Sequence, residues 1–204
     1  MKTRRTVGIV DYGVGNHVSV WRAMHALGYR CRVTEEPAVL DATDVILLPG
    51  VGAFPPAMQA IEAKGLVEYL RSQARSGKPF LGICLGMQLM ADASTEFGLT
   101  AGLGLIPGRV EPLRQAAWHI GWNTFEVVGG DPLLRCIDGQ SVYFNHSFVF
   151  DAPPEYCVGV ARLEQPFCVA VRRDNVVGLQ FHPEKSQASG RQALRSVIDG
   201  LCDA

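Results

Sequence analysis

Cys84 sits in Gly82-Ile83-Cys84-Leu85-Gly86, with a glycine two positions to either side. A thiol attacks only as thiolate, and forming thiolate near neutral pH takes a base, a positive field or both. Pro79 to Ile83 has the short apolar character of a buried strand, and Leu85 to Ala93 carries good helix formers at helical spacing. The cysteine therefore falls on a sharp strand-to-helix turn, where neighbours bulkier than glycine would clash. The unpaired N–H groups and dipole of the following helix favour thiolate and a developing oxyanion. Cys31, Cys136, Cys157, Cys168 and Cys202 lack such a setting and read as ordinary buried thiols.

The base for such a nucleophile is in Gln180-Phe181-His182-Pro183-Glu184. Residues two apart in an extended segment project to the same side, so Glu184 can orient His182, with Pro183 stiffening the link. Imidazole takes a proton from a thiol and delivers one to a leaving amine near neutral pH. Such triads assemble in space, so the long separation between Cys84 and His182 is no objection. His17 and His25 read as solvated or core-satisfied. His119 and His146 stand between the two cases, and spacing alone makes the aromatic run from Tyr143 to Phe148 a core strand. Trp21, Trp118 and Trp122 read equally well as core residues.

The elements that must position these groups begin as an α/β unit. Thr6 to Tyr12 predicts a strand, Val18 to Leu27 a helix closed by Gly28, and Tyr29 to Thr34 and Asp44 to Leu48 two further strands. The last of these, an almost unbroken apolar run, has the character of a parallel strand buried on both faces. It ends in Pro49-Gly50-Val51-Gly52-Ala53-Phe54, after which Pro55 starts a helix predicted to reach about Ser76. In open parallel sheets the ligand site lies beyond the carboxyl ends of the strands, which brings this turn and Cys84 together. The turn can then offer a backbone N–H to an oxyanion. Ser94 to Gly108 reads as a glycine-rich loop. Short alternating strands follow at 109–113, 124–128, 141–144, 157–163, 167–172 and 176–181, and a last helix runs from Gly190 to Leu201. The expected fold class is α/β: an open, mostly parallel or mixed sheet flanked by helices, with additional antiparallel strands in the C-terminal half, in a single domain over 1–204.

Composition excludes several partners. The 204 residues carry a net charge of −1, giving no general attraction to nucleic acid or anionic membrane. The cysteines form no C-x-x-C pair, so neither structural zinc nor a disulfide framework is expected, and a reducing cytoplasm fits best. The basic Met1 to Arg5 is followed by an apolar stretch interrupted at Asp11 and Gly13, unlike a signal peptide, and no apolar run reaches membrane-spanning length. Gly13-Val14-Gly15 lacks the third glycine and later acidic residue of a dinucleotide site, and no cofactor or metal is expected.

Gly82-Ile83-Cys84-Leu85-Gly86-Met87-Gln88 with a distant Gln180-Phe181-His182-Pro183-Glu184 resembles the class I, triad-type glutamine amidotransferases. More narrowly, Tyr12 to Asn16, Pro49 to Phe54, Gly102 to Gly108, Gly121-Trp122-Asn123 and His182 to Ser186 resemble the glutaminase subunits of imidazole glycerol phosphate synthases. The resemblance implies the fold of that class and a triad of Cys84, His182 and Glu184. It also implies an oxyanion hole from the backbone of Val51, Gly52 and Leu85, and glutamine contacts from Gln88, Glu96, Ser147 and Phe148, the last two mainly through backbone. Asn16, Trp122 and Lys185 match positions that face a partner, a (β/α)8-barrel cyclase subunit receiving ammonia in a heterodimer. Where the family has Pro-His-Met this chain has Trp118-His119-Ile120, and Asn145 and Phe148 replace a usual valine and tyrosine. Those departures leave open a paralogous ammonia supplier for a sugar amidotransferase. A free-standing cysteine hydrolase and an inactive regulatory module are further alternatives.

Overall fold

The computed structural model describes residues 4–203. Its first half alternates strands and helices: β1 (Thr6–Val10), α1 (His17–Ala26), β2 (Arg30–Thr34), α2 (Pro37–Asp41), β3 (Val45–Leu48), α3 (Phe54–Ala63), α4 (Leu66–Arg75), β4 (Phe80–Ile83) and α5 (Leu85–Gln88). The second half is mainly strands: β5 (Ala93–Ser94), β6 (Thr100–Ala101), β7 (Arg109–Pro112), β8 (His119–Thr124), β9 (Glu126–Val127), β10 (Ser141–His146), β11 (Phe148–Asp151), β12 (Cys157–Arg162), β13 (Pro166–Arg173) and β14 (Val176–Leu179). The helix α6 (Gln187–Asp203) follows.

One sheet runs β2-β1-β3-β4-β14-β13-β12-β9. It is parallel from β2 through β4 to β14 and antiparallel beyond. Two smaller sheets, β10-β8 and β11-β7-β5-β6, lie outside it. The two-residue period of the strands divides the core. Val7, Ile9, Val45, Leu47, Leu81 and Ile83 pack with Val20 and Met24 of α1 and with Leu194, Val197 and Ile198 of α6. Their alternates Val10, Ile46, Leu48 and Phe80 pack with Phe54 and Ile61 of α3 and Leu66 and Leu70 of α4. This is the expected mixed α/β fold, with helices on both faces.

Several boundaries differ from the sequence expectation. The single helix predicted from Pro55 to Ser76 is two, because Gly65 takes φ +66° between them. The elbow helix ends at Gln88, five residues short of Ala93, as the chain folds back so that the N–H groups of Leu103 and Gly104 reach the carbonyls of Leu89 and Ala91. The 94–108 loop contains the small strand β6, and α2 and β11 were not expected. The last helix starts three residues early. Its Gly190 passes so close to Pro183 that an added Cβ would lie 1.9 Å from the Pro183 carbonyl oxygen.

Candidate active site

The turn after β4 holds Cys84 at φ 53°, ψ −110°, a conformation L-residues rarely adopt. Such strain persists only where the surroundings over-determine it. Here they do: the Cys84 N–H donates to Leu179 O of β14 at 2.7 Å, and the Cys84 carbonyl accepts from Met87 and Gln88. The flanking glycines are required by close approach. A Cβ on Gly86 would lie 1.9 Å from Leu48 O, and one on Gly82 would lie 2.6 Å from Gly86 O.

β14 carries the chain from the sheet to His182, whose N–H donates to Tyr143 O of β10 at 2.8 Å. Nδ1 of His182 lies 2.8 Å from Oε1 of Glu184, and both side chains are buried. Burial works to lower the His182 pKa, but hydrogen bonds and charge interactions with Cys84 and Glu184 outweigh it and push it up to about 10. His182 thus lies between the Cys84 sulfur and the Glu184 carboxylate, both of which favour its charged form.

Cys84 and His182 open onto a cavity of about 250 Å3 also lined by Val51, Gly52, Leu85, Gln88, Glu96, Ser147, Phe148 and Lys185. The sequence-predicted nucleophile, base, turn and glutamine contacts therefore share one space, with Glu184 behind His182. Gly52 takes φ +100°, and Gly50 is pinned beneath it, an added Cβ there falling 2.8 Å from the Tyr12 hydroxyl. That hydroxyl donates to Pro49 O at 2.8 Å. Oε2 of Glu96 accepts the Phe54 N–H at the start of α3, at 2.7 Å. Gln88 Nε2 donates to Phe148 O and to Gln180 Oε1, each at 3.0 Å. The Ser147 carbonyl accepts from Leu113 N.

Of the three positions expected at a partner face, Asn16 caps α1 through Ser19 N–H. Trp122 is half exposed on β8 with its ring edge-on to Tyr143, and Lys185 Nζ sits 5.8 Å from the centroid of the same Tyr143 ring. Trp21, Trp118 and Trp122 all lie at the surface and not in the core. The five remaining cysteines are free thiols, and none is fully buried, Cys136 being exposed. Among the described residues no group of three or more His, Cys, Asp or Glu could hold a metal ion, and no helix is long and apolar enough to cross a membrane.

Sequence reasoning passed over Gln180 as a site residue, although its Nε2 lies 3.7 Å from the Cys84 sulfur. Its position two residues before His182 on an extended segment was the available signal. His146, left undecided, also lines the cavity.

The family model for class-I glutamine amidotransferases matches residues 8–197, and the chain belongs to that family. Within it, the chain is 44% identical over 191 residues to the imidazole glycerol phosphate synthase subunit HisH of Lacticaseibacillus casei (strain BL23), covering 92% of each. The protein of the same name from Syntrophotalea carbinolica is 43% identical over 205 residues, covering 94% of this chain and 98% of that one. Among solved structures, PurLQS from Thermotoga maritima superposes with a TM-score of 0.78 at 18% identity over 98% of this chain and 100% of that one. A crystal structure of a glutamine amidotransferase gives 0.75 at 21% identity over 97% and 99%. These structural likenesses bear on the fold.

Proposed function

We propose that the chain is the glutaminase subunit of imidazole glycerol phosphate synthase, working in histidine biosynthesis. The observation that carries this reading is the Cys84–His182–Glu184 arrangement at one cavity with the Pro49–Gly52 turn, in a chain similar along nearly its whole length to proteins of that name. The Cys84 thiolate attacks the side-chain carboxamide carbon of glutamine, and the carbonyl π pair moves to oxygen. Backbone N–H groups at Leu85 and at the Val51–Gly52 turn stabilise that oxyanion. Each such donor is worth on the order of 3 kcal/mol. Collapse expels the amine, which takes its proton from His182, and leaves a glutamyl thioester on Cys84. Water, deprotonated by the same imidazole, then attacks the thioester, releasing glutamate and regenerating the thiol. Glu184 holds His182 in orientation and stabilises its imidazolium. Gln88, Glu96, Ser147 and Phe148 surround the glutamine.

The protein is a single domain and acts in the cytoplasm as one half of a heterodimer. Asn16, Trp122 and Lys185 face a (β/α)8-barrel cyclase. Ammonia passes to it unprotonated, and the cyclase makes imidazole glycerol phosphate and aminoimidazole carboxamide ribotide, the lyase half of the reaction. Gly52, at positive φ, allows the turn to rotate a peptide and so make or unmake the oxyanion hole as the partner binds its own substrate. The deciding experiment is Cys84→Ala in the co-purified complex. Glutamine-dependent synthesis should be lost while ammonia-dependent synthesis persists; loss of both would overturn this division of labour. Failure of the gene to restore growth of a histidine auxotroph without histidine would move the ammonia to a different acceptor.

A further inference from the structure

From His146 at the cavity wall, a run of polar side chains that the proposed chemistry does not use leads away from the cavity. Nδ1 of His146 is 2.9 Å from Phe148 O, and its Nε2 is 3.0 Å from Nδ1 of His119. Nε2 of His119 is 3.1 Å from Nδ2 of Asn123, which also donates to Arg162 O at 2.8 Å. The polarity of this run is fixed at its ends. A carbonyl only accepts, so His146 must carry a proton on Nδ1; at the other end the Asn123 NH2 only donates, so the His119 proton is on Nδ1 and the His146 Nε2 facing it presents a lone pair. His119 must then donate from Nδ1 and accept at Nε2, where an amide N–H is supplied. Every ring nitrogen is satisfied once, with both rings neutral. Burial lowers the pKa of both histidines, in keeping with that state. The rings are also fixed by packing: His119 stacks on Phe144 at 4.5 Å and meets Phe167 edge-on at 5.5 Å.

Phe148 O is the junction with a second run. It accepts Gln88 Nε2, which also donates to Gln180 Oε1. Flipping the Gln88 amide would set oxygen against oxygen at both contacts, so its orientation is determined. Gln180, fully buried, must therefore turn its own N–H toward the Cys84 sulfur. We propose that His119, His146 and Gln180 are positioning residues of the glutamine-cleaving site. One directed set of hydrogen bonds, running from β8 on one side and to the nucleophile on the other, fixes the Phe148 carbonyl and aims an amide N–H at the Cys84 sulfur. The role of the set in glutamine turnover rests on the function proposed above; its effect on the thiol does not.

Two measurements on the complex of this chain with its cyclase separate the parts. The first is iodoacetamide alkylation of Cys84, followed by mass spectrometry of its peptide, and it requires no glutamine. Q180L should slow it about fivefold by removing a donor that favours thiolate, while H146L leaves it within about twofold. The second is glutaminase kinetics. H146L should raise KM for glutamine about tenfold with little change in kcat, and H146N, whose amide nitrogen takes the place of Nδ1, should restore KM to within about threefold. Circular dichroism and thermal midpoints verify that each variant is folded, and Q180E, of the same shape but with an acceptor at the sulfur, replaces Q180L if that variant is not. Unaltered alkylation in both Gln180 variants, or equal KM values for H146L and H146N, would overturn the proposal. If wild-type complex cleaves no glutamine at all, the proposed function fails, and the alkylation series alone decides the role of Gln180.

Discussion

Strands β3 and β4 are buried at every position, whereas successive residues of β8 and β10 alternate between more and less exposed and the pairing of β12 with β13 is irregular around Gly159. The two regions serve the site differently. The parallel half contributes the Cys84 thiol and the Gln88 amide together with what depends on backbone: a strained turn at Cys84, close glycines and the N–H groups of two turns. The antiparallel half and the segment after β14 contribute side chains: His119, His146, Gln180, His182 and Glu184. A uniformly apolar strand gives no polar side chain to a site but fixes main-chain atoms well, while an alternating strand can place a polar group inward at every second residue. Apart from Cys84 and Gln88 themselves, damage in the first region acts through backbone geometry and damage in the second through lost side-chain chemistry.

The largest test of that division is Glu184→Gln. Shape is kept but the carboxylate partner of His182 is lost, and kcat for glutamine should fall roughly a thousandfold with the thermal midpoint little changed. A loss under about tenfold would remove Glu184 from the triad. Next come paired glycine substitutions followed by urea unfolding. Gly86→Ala drives a Cβ into a backbone carbonyl and should cost more than about 3 kcal/mol. Gly159→Ala of β12 places a Cβ 2.3 Å from the Phe125 ring, a side chain and not a backbone carbonyl, and should cost less, about 1–2 kcal/mol. Equal costs would erase the contrast.

The third test is acid. Burial lowers the His146 pKa from 6.5 to about 4, so the folded state prefers the neutral ring. Its contribution is whole above pH 6.5 and is lost as pH falls toward 4, by roughly 3 kcal/mol at most. His182, with its pKa raised, behaves in the opposite sense: its contribution is whole below 6.5 and is lost as pH rises through about 10. His146→Asn should therefore flatten the acid limb of stability in urea titrations and leave the alkaline limb alone. The smallest effect on stability is that of Cys84→Gly, which relieves the positive φ and should raise stability by about 1 kcal/mol, although it removes the thiol.

The parallel half was the more legible of the two. Val45 to Leu48 and Phe80 to Ile83 announce themselves as continuous apolar runs, and the elbow and His182-Pro183-Glu184 carry their chemistry in local spacing. β8 was hidden because its pattern is inverted: Ile120 and Trp122 face outward while His119 is buried beneath them. A rule that puts apolar residues inside misreads such a strand. The break at Gly65 escaped notice because a lone glycine within a helical pattern is compatible with a continuous helix. Gln180 was overlooked because its meaning depends on Gln88 and Phe148, brought together only by the fold.

The seam between β4 and β14 has a consequence for synthesis. Cys84 depends on Leu179 for its N–H partner, and Gln180 lies 96 positions downstream of it. At ribosomal rates of roughly 5–20 residues per second, the thiol is made about 5–20 seconds before the strand that completes its turn and delivers its base. During that interval the nascent chain has a cysteine but no nucleophile. Its reactivity is assembled with the last strand to be synthesised, so a chain that stops short of β14 lacks the base that glutamine cleavage requires.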